Sequence, residues 1–220
     1  MAQHTATAAA PETLPKKRKT CWHCQQESDP ASVFCSNNKC GAIQPVGPTT
    51  TYFDVLVGGR RTFDVDMGEL RRVFLKLQQG VHPDSYSQKE DIERTLAETQ
   101  SSWINRGYAT LRDPLHRAHY LLKLAGRKIN EEDKITDPEL LMEVMELREE
   151  IEMAQSEEQM AAIKRRNDSS IEHVVRELAA AFGQDDLDRA RQLTNHFQYL
   201  RRVSQAIQNW EPGKSVDIGN

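Results

Sequence analysis

All four cysteines of this chain fall between residues 21 and 40, and the 180 residues that follow contain none. Disulfide scaffolds spread their cysteines through the domain they hold together. Four in one short stretch point instead to a single local metal site in a reducing compartment. The spacing is Cys21-x2-Cys24-x10-Cys35-x4-Cys40, two pairs that can each set two thiolates on one side of a tight turn. Zinc takes four such ligands tetrahedrally, and it supplies folding energy that a unit as short as residues 21–46 lacks by itself. Iron or a transient cluster also suits four thiolates. A redox Cys-x-x-Cys is the third reading, and no βαβ pattern surrounds it. Four protein ligands leave no open position for a catalytic water, so the Zn2+ is expected to be structural, with His23 outside the ligand set.

The rest of the chain must fold without that device. From Tyr52 to about Ile207 the apolar residues recur at helical spacing, and no alternating β-branched run appears after residue 57. The pattern predicts a helical turn at 52–57 and helices at 66–81, 88–111, 115–125, 138–155, 157–182 and 186–209. Asp66, Asp113-Pro114, Asp137-Pro138 and Asp185 or Asp186 supply the caps, and Gly126 and Gly183 the stops. The fold class is therefore all-α, in two helical units at about 50–125 and 135–210 joined by the polar segment Arg127–Thr136. Pro45, Gly47 and Pro48 read as a linker that separates the cysteine unit from the helices. With 38% hydrophobic and 28% charged residues, short helical modules with large surfaces fit better than one large core.

A net charge of −4 gives no global field for nucleic acid. No run approaches the roughly 20 apolar residues of a membrane span. Residues 1–20 end in Lys16-Lys17-Arg18-Lys19 and read as a disordered tail or the remnant of an organelle presequence. A nuclear signal is a third reading of that basic run.

Val81-His82-Pro83-Asp84 lies between the first two long helices. As a bare tripeptide it is an ordinary proline turn. Its context is more specific. The helix before it carries Leu70, Val73, Phe74 and Leu77 on one face, with Arg71, Arg72 and Lys76 elsewhere on its surface. The helix after it carries Ile92, Leu96, Thr99, Trp103 and Tyr108, so the two would pack antiparallel and expose the turn. With Tyr52-Phe53-Asp54-Val55-Leu56 before them and Tyr108-Ala109-Thr110-Leu111-Arg112-Asp113-Pro114 after them, these residues resemble a J domain. The resemblance implies that His82, Pro83 and Asp84 touch a DnaK-type ATPase chaperone and stimulate its ATP hydrolysis. Arg71, Arg72 and Lys76 would face an acidic patch on that chaperone.

Residues 137–158 hold nine acids against one cation, Arg148. Leu140, Val144, Leu147, Ile151 and Ala154 follow the spacing of a buried seam. Leu141, Met142 and Met145 fall off it, beside Glu146 and Glu149, which makes an apolar patch ringed by acids and suited to binding a protein. In the last helix, Ala190, Leu193, Phe197, Leu200 and Ile207 form the core line, and Tyr199 reads as an aromatic anchor off it.

Leu141-Met142-Glu143-Val144-Met145-Glu146-Leu147-Arg148-Glu149-Glu150 and Arg117-Ala118-His119-Tyr120-Leu121-Leu122 narrow the resemblance to the HscB type of J protein, over about residues 50–210. It implies a C-terminal three-helix bundle that binds an IscU-type iron–sulfur scaffold, through Leu141, Met142, Met145, Glu146, Glu149 and Tyr199. It also implies residence in the mitochondrial matrix and an N-terminal zinc knuckle of the animal kind, whose second cysteine pair is shorter than the x4 spacing here. Such a chain bridges scaffold and chaperone and is not itself an enzyme. No membrane or nucleic-acid partner is expected, and homodimerisation is left open. Two other readings stand beside it: a generic J protein for another client, and a zinc-containing nucleic-acid binder using residues 16–19.

Overall fold

The computed structural model describes residues 18–127, 129 and 138–211, with the side chains of 138–141, 143 and 144 outside that description. The expectations for residues 1–17, for the linking segment 130–136 and for the Asp137 cap lie outside it too. Strand β1 (Lys19–Thr20) pairs antiparallel with β2 (Glu27–Ser28). Helices α1 (Tyr52–Leu56), α2 (Met67–Val81), α3 (Asp91–Arg112), α4 (Pro114–Leu124), α5 (Pro138–Met153), α6 (Glu157–Gly183) and α7 (Leu187–Gln208) follow, with a 3-10 turn, Pro83–Tyr86, between α2 and α3.

Helix starts are written in short polar side chains that accept from otherwise unpaired N–H groups. Thr51 and Asp54 form a reciprocal capping box on α1. Asp66 accepts from the Glu69 N–H at 2.9 Å. Asp113 accepts from Leu115 and His116, with Pro114 at the first helical position. Ser156 and Asp186 cap α6 and α7. Helix α3 begins at Asp91 and not near residue 88, because the 3-10 turn runs on through a Lys89 N–H to Tyr86 carbonyl bond of 3.0 Å.

Helices α2 and α3 form an antiparallel hairpin. Phe74 stacks on Tyr108 at 4.0 Å, and the Gln78 side chain exchanges hydrogen bonds with Ser101. One face of α3 buries Ala97, Gln100, Ile104, Gly107 and Leu111. Gly107 is there because α1 lies against it: a Cβ at this position would stand 2.7 Å from the Tyr52 ring.

The pieces that the sequence separates are packed into one body. A single apolar cluster joins Val33 and Ile43 of the cysteine unit to Phe53, Leu70 and Ile104 of the hairpin region, and to Val174, Leu178, Leu193 and Phe197 of α6 and α7. The Pro45–Pro48 segment folds back instead of spacing the units apart. The Thr50 N–H donates to Gly47, the Thr50 hydroxyl donates to the Pro30 carbonyl at 3.2 Å, and the buried Gln100 side chain donates to the Gln44 carbonyl. Residues 18–20 likewise belong to the knuckle and not to a tail. The half-buried Lys19 ammonium donates to the carbonyls of Ser32 (2.6 Å) and Pro45 (3.0 Å), which ties down a cation that nucleic-acid contact would need free.

Arg117 of α4 ties the end of α3 to the segment at Phe63. Its buried guanidinium donates to the carbonyls of Leu111 (2.6 Å), Arg112 (3.3 Å) and Phe63, and it lies 5.2 Å from the Phe63 ring centroid. Burial lowers its pKa, and Asp113 and Asp64 counter part of that. Phe63 in turn stacks on Phe182 of α6, and Arg201 of α7 pairs with Asp113 at 2.7 Å.

A second cluster lies beyond this core: Leu147 and Ile151 of α5, Met160 and Ile163 of α6, and Tyr199, Val203, Ala206 and Ile207 of α7. Helix α6 has 27 residues, about 40 Å of rise, and reaches through both clusters. Asn167 marks the join, where its amide donates to the Leu200 carbonyl (3.2 Å) and the Ser204 hydroxyl (2.8 Å).

Candidate metal centre and two docking faces

The four thiols converge. Cys21, Cys24, Cys35 and Cys40 place their Sγ atoms all within 4.8 Å of one another, with Cys24–Cys35 at 3.6 Å and Cys21–Cys40 at 3.9 Å. A disulfide needs about 2 Å. A tetrahedral zinc with bonds of about 2.3 Å separates its sulfurs by roughly 3.8 Å. The cage therefore has the dimensions of a metal centre, and all four cysteines are free.

Its surroundings suit anionic sulfur. Gln44 Nε2 donates to Cys21 Sγ at 3.2 Å, the Cys24 N–H lies 3.5 Å from the same atom, and Asn37 Nδ2 lies 3.8 Å from Cys24 Sγ. Burial pushes the Cys21 thiol up, but the N–H groups of Cys24 and His23, with the thiols of Cys35 and Cys24, outweigh it and bring it to about 6. The Asn37 N–H pulls Cys35 down, yet burial and the other three thiols push it up to about 12. Cys21 is pulled down while Cys35 and Cys40 are pushed up, an imbalance that a bound cation would relieve. His23 lies at the rim, with Nδ1 3.5 Å from Cys40 Sγ.

The His82-Pro83-Asp84 turn stands at the closed end of the α2–α3 hairpin, where the chain passes from one helix to the other. A residue before proline is held extended, and His82 has φ −58° and ψ 126°. It ends α2 and caps the 3-10 turn, accepting the Asp84 N–H on Nδ1 at 3.3 Å. That geometry leaves Nε2 for an outside partner, and the side chains of His82 and Asp84 are 57% and 90% exposed. The Tyr86 hydroxyl donates to the Gly80 carbonyl at 3.1 Å, and the Ser85 N–H to the His82 carbonyl at 2.9 Å, which pins the turn from beneath.

On α2, Arg71, Arg72 and Lys76 are all exposed. Arg72 is held by Glu69 through two bonds of 2.7 and 2.6 Å, whereas Arg71 and Lys76 have no ion-pair partner among the described residues. Leu75 stands exposed on the same side, off the face that carries Leu70, Val73, Phe74 and Leu77.

Helix α5 divides as its periodicity predicts. Leu147 and Ile151 are buried in the second cluster. Met142, Met145 and Met153 are 66%, 55% and 67% exposed, and Glu146 and Glu149 are exposed beside them. The side chain of Leu141 lies outside the described residues. Tyr199 is a correction to the sequence reading. It is 8% exposed and packs in the second cluster, so it is not an anchor standing off the core. The single stripe assumed for α7 is too narrow, because α4, α5 and α6 all pack around that helix and bury a wider arc of it.

A helical hairpin with an exposed His-Pro-Asp turn, on the same body as a bundle with an exposed methionine and acid stripe, defines a J-type co-chaperone. Relatives agree. The family model of the HSCB C-terminal oligomerisation domain matches residues 136–208. The iron-sulfur cluster co-chaperone protein HscB of Mus musculus is 34% identical over 203 residues, covering 92% of this chain and 86% of that protein. The mitochondrial J-type co-chaperone JAC1 of Saccharomyces cerevisiae is 28% identical over 162 residues, covering 71% of this chain and 84% of that one. The crystal structure of human co-chaperone protein HscB superposes with a TM-score of 0.79 at 34% identity, covering 86% of this chain and 97% of its own. The chain belongs to the HscB family of iron–sulfur cluster co-chaperones.

Proposed function

We propose that this chain binds an IscU-type iron–sulfur scaffold on the exposed stripe of α5 and presents it to a DnaK/HscA-type chaperone, whose ATP hydrolysis the His82-Pro83-Asp84 turn stimulates. The observation that carries this is the placement of both surfaces on one packed body, the turn at the end of the hairpin and the stripe on the second cluster. The chaperone face combines a fixed turn with the cations Arg71 and Lys76, which steer an acidic partner and add specificity. Arg72 is partly neutralised by Glu69 and contributes after that pair opens. The scaffold face offers flexible methionines for contact and acids for register. The chain acts by docking, with no bond made or broken on its own residues. The mitochondrial name of the yeast relative supports the matrix as its place of work.

Reconstitution tests the reading. The chain with a chaperone and scaffold of these types is expected to raise ATP turnover above either alone. Arg71→Ala with Lys76→Ala should weaken the chaperone interaction more at about 0.01 M than at about 0.15 M salt, since screening shortens the reach of the field from roughly 30 to 8 Å. Absence of stimulation by the intact chain would overturn it.

We further propose that Cys21, Cys24, Cys35 and Cys40 hold one structural Zn2+. The metal would fix the thiolate cage and supply no chemistry. Because Val33 and Ile43 share the hairpin's core, metal loss should reach the helices too, contrary to an independent knuckle. Cys35→Ser is expected to abolish zinc retention and to lower unfolding free energy by about 3–5 kcal/mol, the scale of losing two buried aliphatic side chains. Elemental analysis and urea unfolding followed by helicity check both. Metal-free protein as isolated, with full stability, would refute it.

A further inference from the structure

The metal centre and the His-Pro-Asp turn are joined through one aromatic contact. Phe34 immediately precedes Cys35 and bridges to Ile43 within the knuckle. Its ring lies over Gly80, two residues before His82: a methyl group on Gly80 would stand 2.8 Å from the ring's Cζ and 3.2 Å from Cε2. Gly80 is therefore the residue that lets the ring close onto the last turn of α2. Its carbonyl is held from the other side by the Tyr86 hydroxyl at 3.1 Å, at the far end of the 3-10 turn. A second link runs in parallel. Gln44 donates to Cys21 Sγ at 3.2 Å, and its own carbonyl accepts from the buried Gln100 side chain of α3. Two of the four thiols are thus one residue or one hydrogen bond away from groups that touch the hairpin.

We propose that Phe34 is a positioning residue for the chaperone-docking turn: closing over Gly80, it fixes the end of α2 and with it the attitude of His82 and Asp84, and the folded knuckle holds Phe34 in place. The knuckle then belongs to the chaperone face, and its metal occupancy is felt at that face. The docking role rests on the function proposed above, whereas the positioning does not and can be read without any chaperone.

Four variants of the full zinc-loaded chain separate positioning from simple core filling: Phe34→Ala, Phe34→Leu, Gly80→Ala and the Phe34→Ala/Gly80→Ala pair. Alanine at 80 favours the helix and pushes away only the tip of a side chain, so it displaces the ring without breaking α2. Amide hydrogen exchange of residues 80–85 is expected to quicken about tenfold in Phe34→Ala and in Gly80→Ala, with α6 and α7 unchanged. Phe34→Leu should restore most of the protection. The pair should be no worse than either single change, because both remove one contact. Chelation of the zinc should expose residues 80–85 at least as much, on top of the wider loss of stability expected above. In the chaperone assay, Phe34→Ala should weaken apparent affinity about fivefold, and Phe34→Leu should recover it. Exchange that rises equally in α6 and α7, or single effects that add in the pair, would overturn the proposal. A wild-type chain that fails to stimulate the chaperone would defeat the docking reading alone and leave the exchange measurement to decide this one.

Discussion

His82→Gln is expected to leave the chain folded and to abolish its stimulation of the partner chaperone. The side chain is 57% exposed and lies outside both apolar clusters. Losing the cap that the ring gives the 3-10 turn costs about 1 kcal/mol, too little to unfold the chain. What the ring supplies is position. Nδ1 is engaged by the Asp84 N–H, and the rigid imidazole holds Nε2 at a fixed point on the turn that joins the two helices of the hairpin. Glutamine has an extra rotatable bond and no second ring nitrogen, so both the contact and its orientation go. Anchors at the centre of an interface cost on the order of 2 kcal/mol or more, about 30-fold in affinity. Scaffold affinity should be unchanged, because α5 packs in the other cluster. Single-turnover ATP hydrolysis with increasing co-chaperone measures the first effect, and scaffold titration the second. Full stimulation by the variant would remove the turn from the mechanism.

The scaffold face yields the opposite pair of outcomes. Tyr199→Ala is expected to cost about 3–5 kcal/mol of folding stability, as large aromatic truncations in cores do, because Tyr199 fills the space among α5, α6 and α7. Its effect on the scaffold would then follow from loss of the support beneath α5. Met142→Ala with Met145→Ala should cost about 0.5 kcal/mol of stability or less per site, since both side chains are more than half exposed. The same pair should lower scaffold affinity by at least about 30-fold, the loss that a single anchor of about 2 kcal/mol carries. Urea unfolding and scaffold titration on the same samples distinguish the two residues. Unchanged affinity in the methionine variant would move the docking face away from α5.

What the sequence makes legible is what depends on near neighbours. Asp66, Asp113 and Asp186 cap helices two or three residues ahead, and each is found doing so. Leu147 and Ile151 against Met142 and Met145 divide by helical phase alone. The four thiols lie within 20 residues of one another, so spacing suffices to gather them. What it hides is set by distant partners. Gln44 meets Gln100 across 56 residues, and nothing near Pro45, Gly47 or Pro48 says that this stretch folds back. Arg117 looks like surface charge in a run of helix formers, yet it is buried by Phe63, 54 residues earlier. Tyr199 follows the phase of an exposed position and is covered because a third helix lies across it. In each case local pattern loses to tertiary packing, which no short window contains.

One consequence of the shared helices α6 and α7 concerns mechanics. A flexible tether between two docking sites sets their encounter by chain statistics, and its effective concentration falls as the tether lengthens. Here the two proposed sites belong to units packed against opposite stretches of the same helices, with Asn167 bonded between those stretches. A scaffold and a chaperone held at the two ends would meet at a set separation and angle, as if clamped in a jig. Any pull from a closing chaperone would pass through a stiff strut and reach the scaffold as displacement, undiminished by slack.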